Sequence, residues 1–300
     1  MKLLPETLFA QTGNLKSSRR SGRPFRFAFL LFLAFVFLFT GCEKKKKEKP
    51  LSPSQARAIP RNESKPPKSA SPASGATAPV SGARLAIIID DLGYDRASAD
   101  AVFALPFPLT VSVLPGLPHS ADVDAEAKRR GYQVMLHLPM ASTGKEKPEA
   151  VELHPGMSAE EVSQTLAQML ATVPDAIGAN NHQGSEATAD LTLMTTLMPV
   201  LREYKLFFVD SRTTAATVAY DTAHQMGIPS AYRNVPFLDD STDAASIRKQ
   251  LALAVRDAQK QGAAIAIGHP HPTTLQVLQE MLPHIGAQGV TLVFVSQLVQ

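Results

Sequence analysis

From Ala83 onward, five short polar clusters interrupt a chain otherwise rich in apolar runs: Asp90-Asp91, His137, Asn180-Asn181-His182-Gln183-Gly184-Ser185, Asp210-Ser211-Arg212 and His269-Pro270-His271. Carboxylates and neutral imidazoles are the side chains that hold hard and borderline divalent ions. One Asp with two His leaves coordination positions open for water and a substrate oxygen, which suits Zn²⁺ first, with Mn²⁺, Fe²⁺ or Co²⁺ as alternatives. Such an ion lowers the pKa of bound water toward about 7 and polarises a carbonyl, as amide or ester hydrolysis requires. Cys occurs once, at Cys42, so any metal must rest on His and carboxylates, and a disulfide framework is excluded. Neither a phosphate-binding Gly-rich loop nor a Gly-x-Ser-x-Gly elbow is present, so nucleotide phosphoryl transfer and serine esterase chemistry rank low.

Each cluster also has a plainer reading. Asp90 and Asp91 directly follow Leu-Ala-Ile-Ile-Ile. Neighbouring strand residues point to opposite faces, so a shared-proton pair is not expected, but the backbone changes direction at a strand end and both carboxylates could still reach one site. A division of labour is more natural, one carboxylate holding a cation and the other taking a proton; the alternative is a turn before Gly93 in which Asp91 bonds local backbone. His137 sits among apolar neighbours, where a hydrogen-bonded core histidine is the ordinary explanation. The six residues from Asn180 to Ser185 read as a polar loop with a candidate ligand in His182, and with Asn181 and Ser185 as candidate substrate contacts. In Gly268-His269-Pro270-His271-Pro272 the rigid spacing makes joint binding of one ion awkward. His269, nearer the apolar run, is the preferred general acid, with His271 in reserve. Asp210 and Arg212 can pair, holding a histidine tautomer or tuning the base, or form a structural ion pair.

Elements that position these residues follow from the hydrophobic pattern. Strands are expected over residues 85–89, 109–113, 134–136, 176–179, 206–209, 263–267 and 290–295. Helices are expected over 96–105, 121–130, 159–171, 191–204, 216–226, 244–261 and 274–282, and Ser158-Ala-Glu-Glu161 is a capping box at the start of one of them. Non-alternating Ile, Val and Leu indicate strands buried on both faces, hence a parallel sheet covered by helices. Repeated βα units imply an α/β fold, either a barrel or an open doubly wound sheet. In a parallel barrel the C-terminal strand ends open onto one face, so the five clusters would converge there.

The chain has 300 residues and a net charge of +3, but the charge is unevenly spread. Residues 1–42 carry six Lys/Arg against one Glu, and 43–82 carry nine against three, so the remainder is acidic at −8. Nucleic acid is therefore not expected as a partner, since phosphate binding needs a basic face on the folded domain. Arg19, Arg20, Arg23 and Arg26 precede an apolar run, Phe27 to Phe39, and then Thr40-Gly41-Cys42. This reads as a bacterial export signal ending in a lipobox-like site, with Cys42 the lipidated N-terminus of an exported, periplasmic or membrane-anchored protein. Phe39 stands where that motif usually has Leu. Residues 43–82, with seven Pro, seven Ser and four successive Lys, read as a disordered tether. The domain expected to fold is 83–300.

The string Leu-Ala-Ile-Ile-Ile-Asp-Asp-Leu-Gly-Tyr (85–94), with His137-Leu-Pro-Met140, Asn180-Asn-His-Gln-Gly-Ser185, Val209-Asp-Ser-Arg-Thr-Thr214 and Ala266-Ile-Gly-His-Pro-His-Pro272, resembles the divergent polysaccharide deacetylases. That family is similar to the metal-dependent carbohydrate deacetylases, and the resemblance implies an incomplete (β/α)7 barrel of the deacetylase type. It also implies that Asp90 is the base, Asp91 a metal ligand, His137 a second ligand and His269 the acid. The parent pattern has another His four residues after the first, and here that position is Ala141. Either His182 completes the set Asp91, His137, His182, or the site does not bind metal in the parent manner. The expected function is deacetylation of an acetylated envelope glycan such as peptidoglycan. The alternatives are a carbohydrate-binding or scaffolding lipoprotein without catalysis, and a metal-dependent hydrolase of another envelope ester or amide.

Overall fold

The computed structural model describes residues 82–144 and 147–300. The export segment, Cys42 and the tether up to residue 81 lie outside the described residues. Strands and helices alternate: β1 (Ala83–Leu92), α1 (Arg96–Phe103), β2 (Thr110–Val113), α2 (Ser120–Arg130), β3 (Gln133–Met140), α3 (Ala159–Leu170), β4 (Gly178–Gln183), α4 (Leu191–Glu203), β5 (Phe207–Asp210), α5 (Ala219–Gln225), β6 (Ser230–Tyr232), α6 (Ala244–Gln261), β7 (Ala263–Gly268), α7 (Pro272–Met281) and a short β8 (Val290–Leu292). Ser158 and Glu161 form the expected capping box at the start of α3.

All strand pairs are parallel, in the order β6-β5-β4-β3-β2-β1-β7, with β8 paired to the base of β1. This is the incomplete (β/α)7 barrel, rather than the open doubly wound sheet. Its seam lies between β6 and β7, which do not pair. The segment after β6 bridges it instead: Asn234 N and Leu238 N donate to the carbonyls of Ile265 and Ile267 at 3.0 and 2.9 Å, and Ile265 N donates to Asn234 Oδ1 at 2.8 Å. The expected strand over 290–295 is only the stub β8. The true sixth strand is Ser-Ala-Tyr, too short and too polar to announce itself.

Two apolar layers follow from strand periodicity. Leu85, Ile87 and Ile89 of β1, Val134, Leu136 and Leu138 of β3, and Phe208 of β5 pack outward under the helices. Ala86, Ile88, Met135, Phe207, Val209, Ile265 and Ile267 fill the barrel lumen. The lumen is tight. A Cβ on Gly178 would stand 2.3 Å from the Phe207 ring, so only glycine fits there.

One buried polar group on the helical layer has no such role. Asp124 of α2 is 1% exposed, its Oδ1 has no hydrogen-bond partner, and burial, reinforced by the nearby Asp175, pushes its pKa up to about 6. The fold thus prefers the protonated form. Relative stability is full below the ordinary carboxylate value and is lost as pH rises through about 6. Asp124→Asn should therefore stabilise the domain by about 1–3 kcal/mol at pH 7–8 and leave it nearly unchanged near pH 4, checked by denaturant unfolding at both pH values.

Candidate metal centre

The same parity that fills the lumen brings the polar side chains together above it. Counting onward by twos, Ile88 leads to Asp90, Met135 to His137, Gly178 to Asn180 and His182, Val209 to Ser211, and Ile267 to His269. Each continues the inward parity of its strand, Ser211 and His269 one residue past the strand end, so these residues form a polar layer capping the apolar ones. Asn180 to Gln183 belong to β4 rather than to a loop, and the hydrogen-bonded strand aims them.

Asp91 should point outward by this count. Instead the pairing of β1 with β2 shifts register between Ile89 and Leu92, and Asp91 adopts φ +61°, in the left-handed region. A bulge of this kind re-aims one side chain. Both carboxylates therefore serve one site, which strict alternation forbids.

Three donor atoms then make a nearly equilateral triangle. His137 Nε2 lies 3.1 Å from Asp91 Oδ1, His182 Nδ1 lies 3.0 Å from the same oxygen, and the two nitrogens are 3.1 Å apart. Protonation of these atoms follows from Asn180. Its Nδ2 donates to both oxygens of Asp90, at 2.9 and 3.1 Å, and to Ser211 Oγ at 3.1 Å. A carboxylate only accepts, so the amide orientation is set and Oδ1 must face His137 Nδ1, 3.1 Å away. Ser112 Oγ donates to that same Oδ1. His137 Nδ1 therefore carries the proton, and in the neutral ring Nε2 presents a lone pair. Asp91 Oδ1 is buried without a hydrogen bond of good geometry. Converging lone pairs with an orphaned carboxylate oxygen fit a divalent ion about 2.1 Å from each atom, because cis ligands at that distance are about 3.0 Å apart in an octahedron and 3.4 Å in a tetrahedron.

Electrostatics separate the two aspartates. Burial dominates at Asp90 and raises its pKa, although His137, His269 and the Asn180 bond oppose the rise. At Asp91 burial also raises the value, but the close approach and charge of His137 and His182 outweigh it, leaving the pKa far below the carboxylate range. One is suited to take a proton, the other to remain an anion. Burial disfavours the His137 imidazolium, yet Asp90 and Asp91 raise its pKa overall, so a proton and a divalent ion compete for the same anionic pocket.

His269 stands on the opposite side, its Nε2 3.9 Å from Asp91 Oδ2. Its Nδ1 is 2.8 Å from Asp239 Oδ1, while Asp239 Oδ2 accepts from His269 N and Thr274 Oγ1. Burial disfavours the imidazolium, but the Asp239 bond and the charges of Asp90, Asp239 and Asp91 raise its pKa to about 9. His271 is exposed, its ring centroid 6.0 Å from that of His269. Asp239, His269 and His271 also gather within 4.8 Å, but Asp239 already accepts from three donors and has little to offer an ion.

Several expected contacts lie elsewhere. Asn181, at an outward position, accepts from Ser211 N and donates to the Gln183 carbonyl, tying together the ends of β4 and β5. Ser185 Oγ sits among Ser142 Oγ, Thr143 Oγ1 and Thr143 N in the rim. Asp210 does not pair with the Arg212 guanidinium. It follows the inward Val209, so it faces α5, where it accepts from Arg212 N, Thr217 Oγ1 and Tyr220 N. Sequence reasoning missed Asn180 as the hub, Asp239 behind His269, and Glu149, whose Oε1 accepts from Tyr94 Oη at 3.0 Å and lies 3.7 Å from His182 Nε2. Counting inward positions from Gly178 would have found Asn180. Asp239 and Glu149 sit on irregular segments that no periodicity reaches.

A family profile described as divergent polysaccharide deacetylase matches residues 87–299. An uncharacterized protein of Haemophilus influenzae is 44% identical over 202 residues, covering 67% of this chain and 72% of its own. The uncharacterized protein YibQ of Escherichia coli K12 is 40% identical over 222 residues, covering 74% and 69%. The crystal structure of an uncharacterized protein from Agrobacterium tumefaciens C58 superposes with a TM-score of 0.69 at 23% identity, covering 73% of this chain and 89% of that one. At that identity the likeness is one of fold.

Proposed function

The chain belongs to the divergent polysaccharide deacetylase family, and from that premise we propose that it is a metal-dependent hydrolase that removes acetyl groups from a glycan of the cell envelope. The observation that carries this reading is the triangle of Asp91 Oδ1, His137 Nε2 and His182 Nδ1, with the buried carboxylate Asp90 on one side and His269 on the other. Asp91, His137 and His182 are the residues to hold the ion. His182, from β4, would supply the third ligand that the parent pattern takes from a His at the position of Ala141; loss of that His is what favours the alternative of a non-catalytic glycan-binding barrel.

A divalent ion bound there supplies Lewis-acid polarisation of the acyl carbonyl and acidifies water. Asp90 takes a proton from the attacking water, and the bond from Asn180 Nδ2 holds its carboxylate in place. His269 Nε2 delivers a proton to the departing amine or hydroxyl as the bond to the acetyl carbon breaks, giving acetate and the free sugar group. Asp239 anchors Nδ1–H and stabilises the imidazolium. Export and lipid tethering through Cys42 belong to the same proposal and rest on the leader residues alone.

Acetate release from acetylated peptidoglycan strands or chito-oligosaccharides by the metal-loaded chain is the direct assay; release of peptide or another acid instead would replace deacetylation by the hydrolysis of a different envelope bond. The rate should fall on the alkaline side as His269 loses its proton and on the acid side as Asp90 gains one. In Asp239→Asn the imidazolium loses its counter-charge, so its pKa drops. The alkaline limb of kcat/KM should move down by about one to two pH units while the acid limb stays. A parallel ring-proton NMR titration of His269 reads the same shift without turnover.

A further inference from the structure

Two arginines stand at the ends of β5 and β6, Arg212 against Tyr232 and Arg233 against the Phe237 ring that neighbours His269, and neither is paired with a carboxylate. Arg212 follows Ser211 at the end of β5 with φ +50°, and its guanidinium carbon lies over the Tyr232 ring, 3.5 Å from the centroid. Among the described residues its N–H fork has no protein acceptor; the one hydrogen bond of this residue to Asp210 comes from the backbone. Arg233, just after β6, donates Nε to the Ser211 carbonyl at 2.7 Å, Nη2 to the Arg212 carbonyl at 2.9 Å and Nη1 to Val235. It also covers the Phe237 ring at 4.0 Å. Among the described residues, neither guanidinium has a carboxylate within ion-pair distance.

The charges of Asp240, Asp210 and Asp90 reach Arg233, Asp240 most strongly, but none of the three pairs with a guanidinium: Asp210 is turned toward α5 and bonded there, Asp90 is held by Asn180, and Asp240 is exposed. Two like charges side by side repel, and the fold accepts this at the seam of the barrel. A wall leads from them to the site: Arg233 covers Phe237, whose centroid is 5.5 Å from that of His269. Ser211, the residue before Arg212, accepts from the hub Asn180. A stacked guanidinium with its fork open is pre-organised for a planar anion, and arginine matches a carboxylate through two parallel N–H bonds.

We propose that Arg212, backed by Arg233, is a subsite for a carboxylate carried by a sugar neighbouring the one that is deacetylated, so that the substrate is an acidic glycan. This rests on the deacetylase reading for its context, but binding tests it separately. Peptide-free peptidoglycan strands, whose lactyl groups carry free carboxylates, are compared with the same strands after reduction of those carboxylates to alcohols. Affinity is measured by calorimetry on the full chain carrying Asp90→Asn, so that the glycan stays intact, with and without Arg212→Gln. Arg212 is exposed, so the variant should fold; circular dichroism checks this, and Arg212→Lys keeps the charge while removing the fork.

The intact strands should bind at least about tenfold more tightly than the reduced ones. Arg212→Gln should erase the difference, Arg212→Lys should keep only part of it, and added salt should shrink it. Equal affinity for both strands, or a preference that survives Arg212→Gln, overturns the proposal. If the native chain releases acetate from both strands with the same KM, the subsite falls and the deacetylase reading stands. If it releases none while the Arg212-dependent preference holds, the subsite stands and the deacetylase reading falls.

Discussion

In Asp91→Ala the domain should fold yet retain no tightly held divalent ion, and acetate release should fall below detection. Asp91 supplies the only anion of the triangle, its Oδ1 lying 3.0 and 3.1 Å from the two imidazole nitrogens, and it is held ionised by them far below its ordinary pKa. Removing one partner from a buried ionic contact costs about 3–5 kcal/mol. That corresponds to a loss of roughly two to three and a half orders of magnitude in affinity, at about 1.4 kcal/mol per factor of ten. Metal content after equilibrium dialysis reads the effect, and circular dichroism separates it from unfolding. An Asp91→Ala chain that still binds one ion as tightly as the parent removes Asp91 from the site.

Asp90→Asn should behave in the opposite way, keeping the ion and losing the reaction. The substitution preserves shape, and the new amide oxygen still accepts from Asn180 Nδ2, so the hub and the His137 tautomer survive. What disappears is a carboxylate whose pKa burial raises, which favours it as a proton acceptor. Loss of a general base costs about 10²–10⁴ in rate. Single-turnover acetate release by the metal-loaded variant measures it; near-parent activity would assign the proton transfer to another group. The two variants together separate ion holding from proton transfer on neighbouring residues of one strand.

That both aspartates could reach one site was expected from the change of backbone direction at the strand end; the bulge that does it was not. Alternation along Leu-Ala-Ile-Ile-Ile-Asp-Asp predicts one carboxylate in and one out, and only the bulge with Asp91 at φ +61° brings both in. The convergence itself was legible, because each polar cluster ends an apolar run and parallel strands open onto one face. Asn180 to Gln183 read as a loop on account of their polarity. They are strand because β3 and β5 pair with β4 on either side, a tertiary constraint that local propensity does not contain. Asp210 illustrates the reverse error: it ends an apolar run like the others, but one step off the inward parity sends it to α5. The position of His269 after β7 marks it as a candidate in the sequence, whereas Asp239, whose hydrogen bond is the largest of the effects raising that imidazole's pKa, comes from the irregular seam segment 30 residues earlier.

The most direct test of the central claim is anomalous diffraction from crystals grown with Zn²⁺ or Mn²⁺, recorded on both sides of the metal's absorption edge. One peak should appear about 2.0–2.3 Å from Asp91 Oδ1, His137 Nε2 and His182 Nδ1 together, and should vanish in His182→Ala. No peak at that point, or one held by Asp239, His269 and His271 instead, would contradict the account.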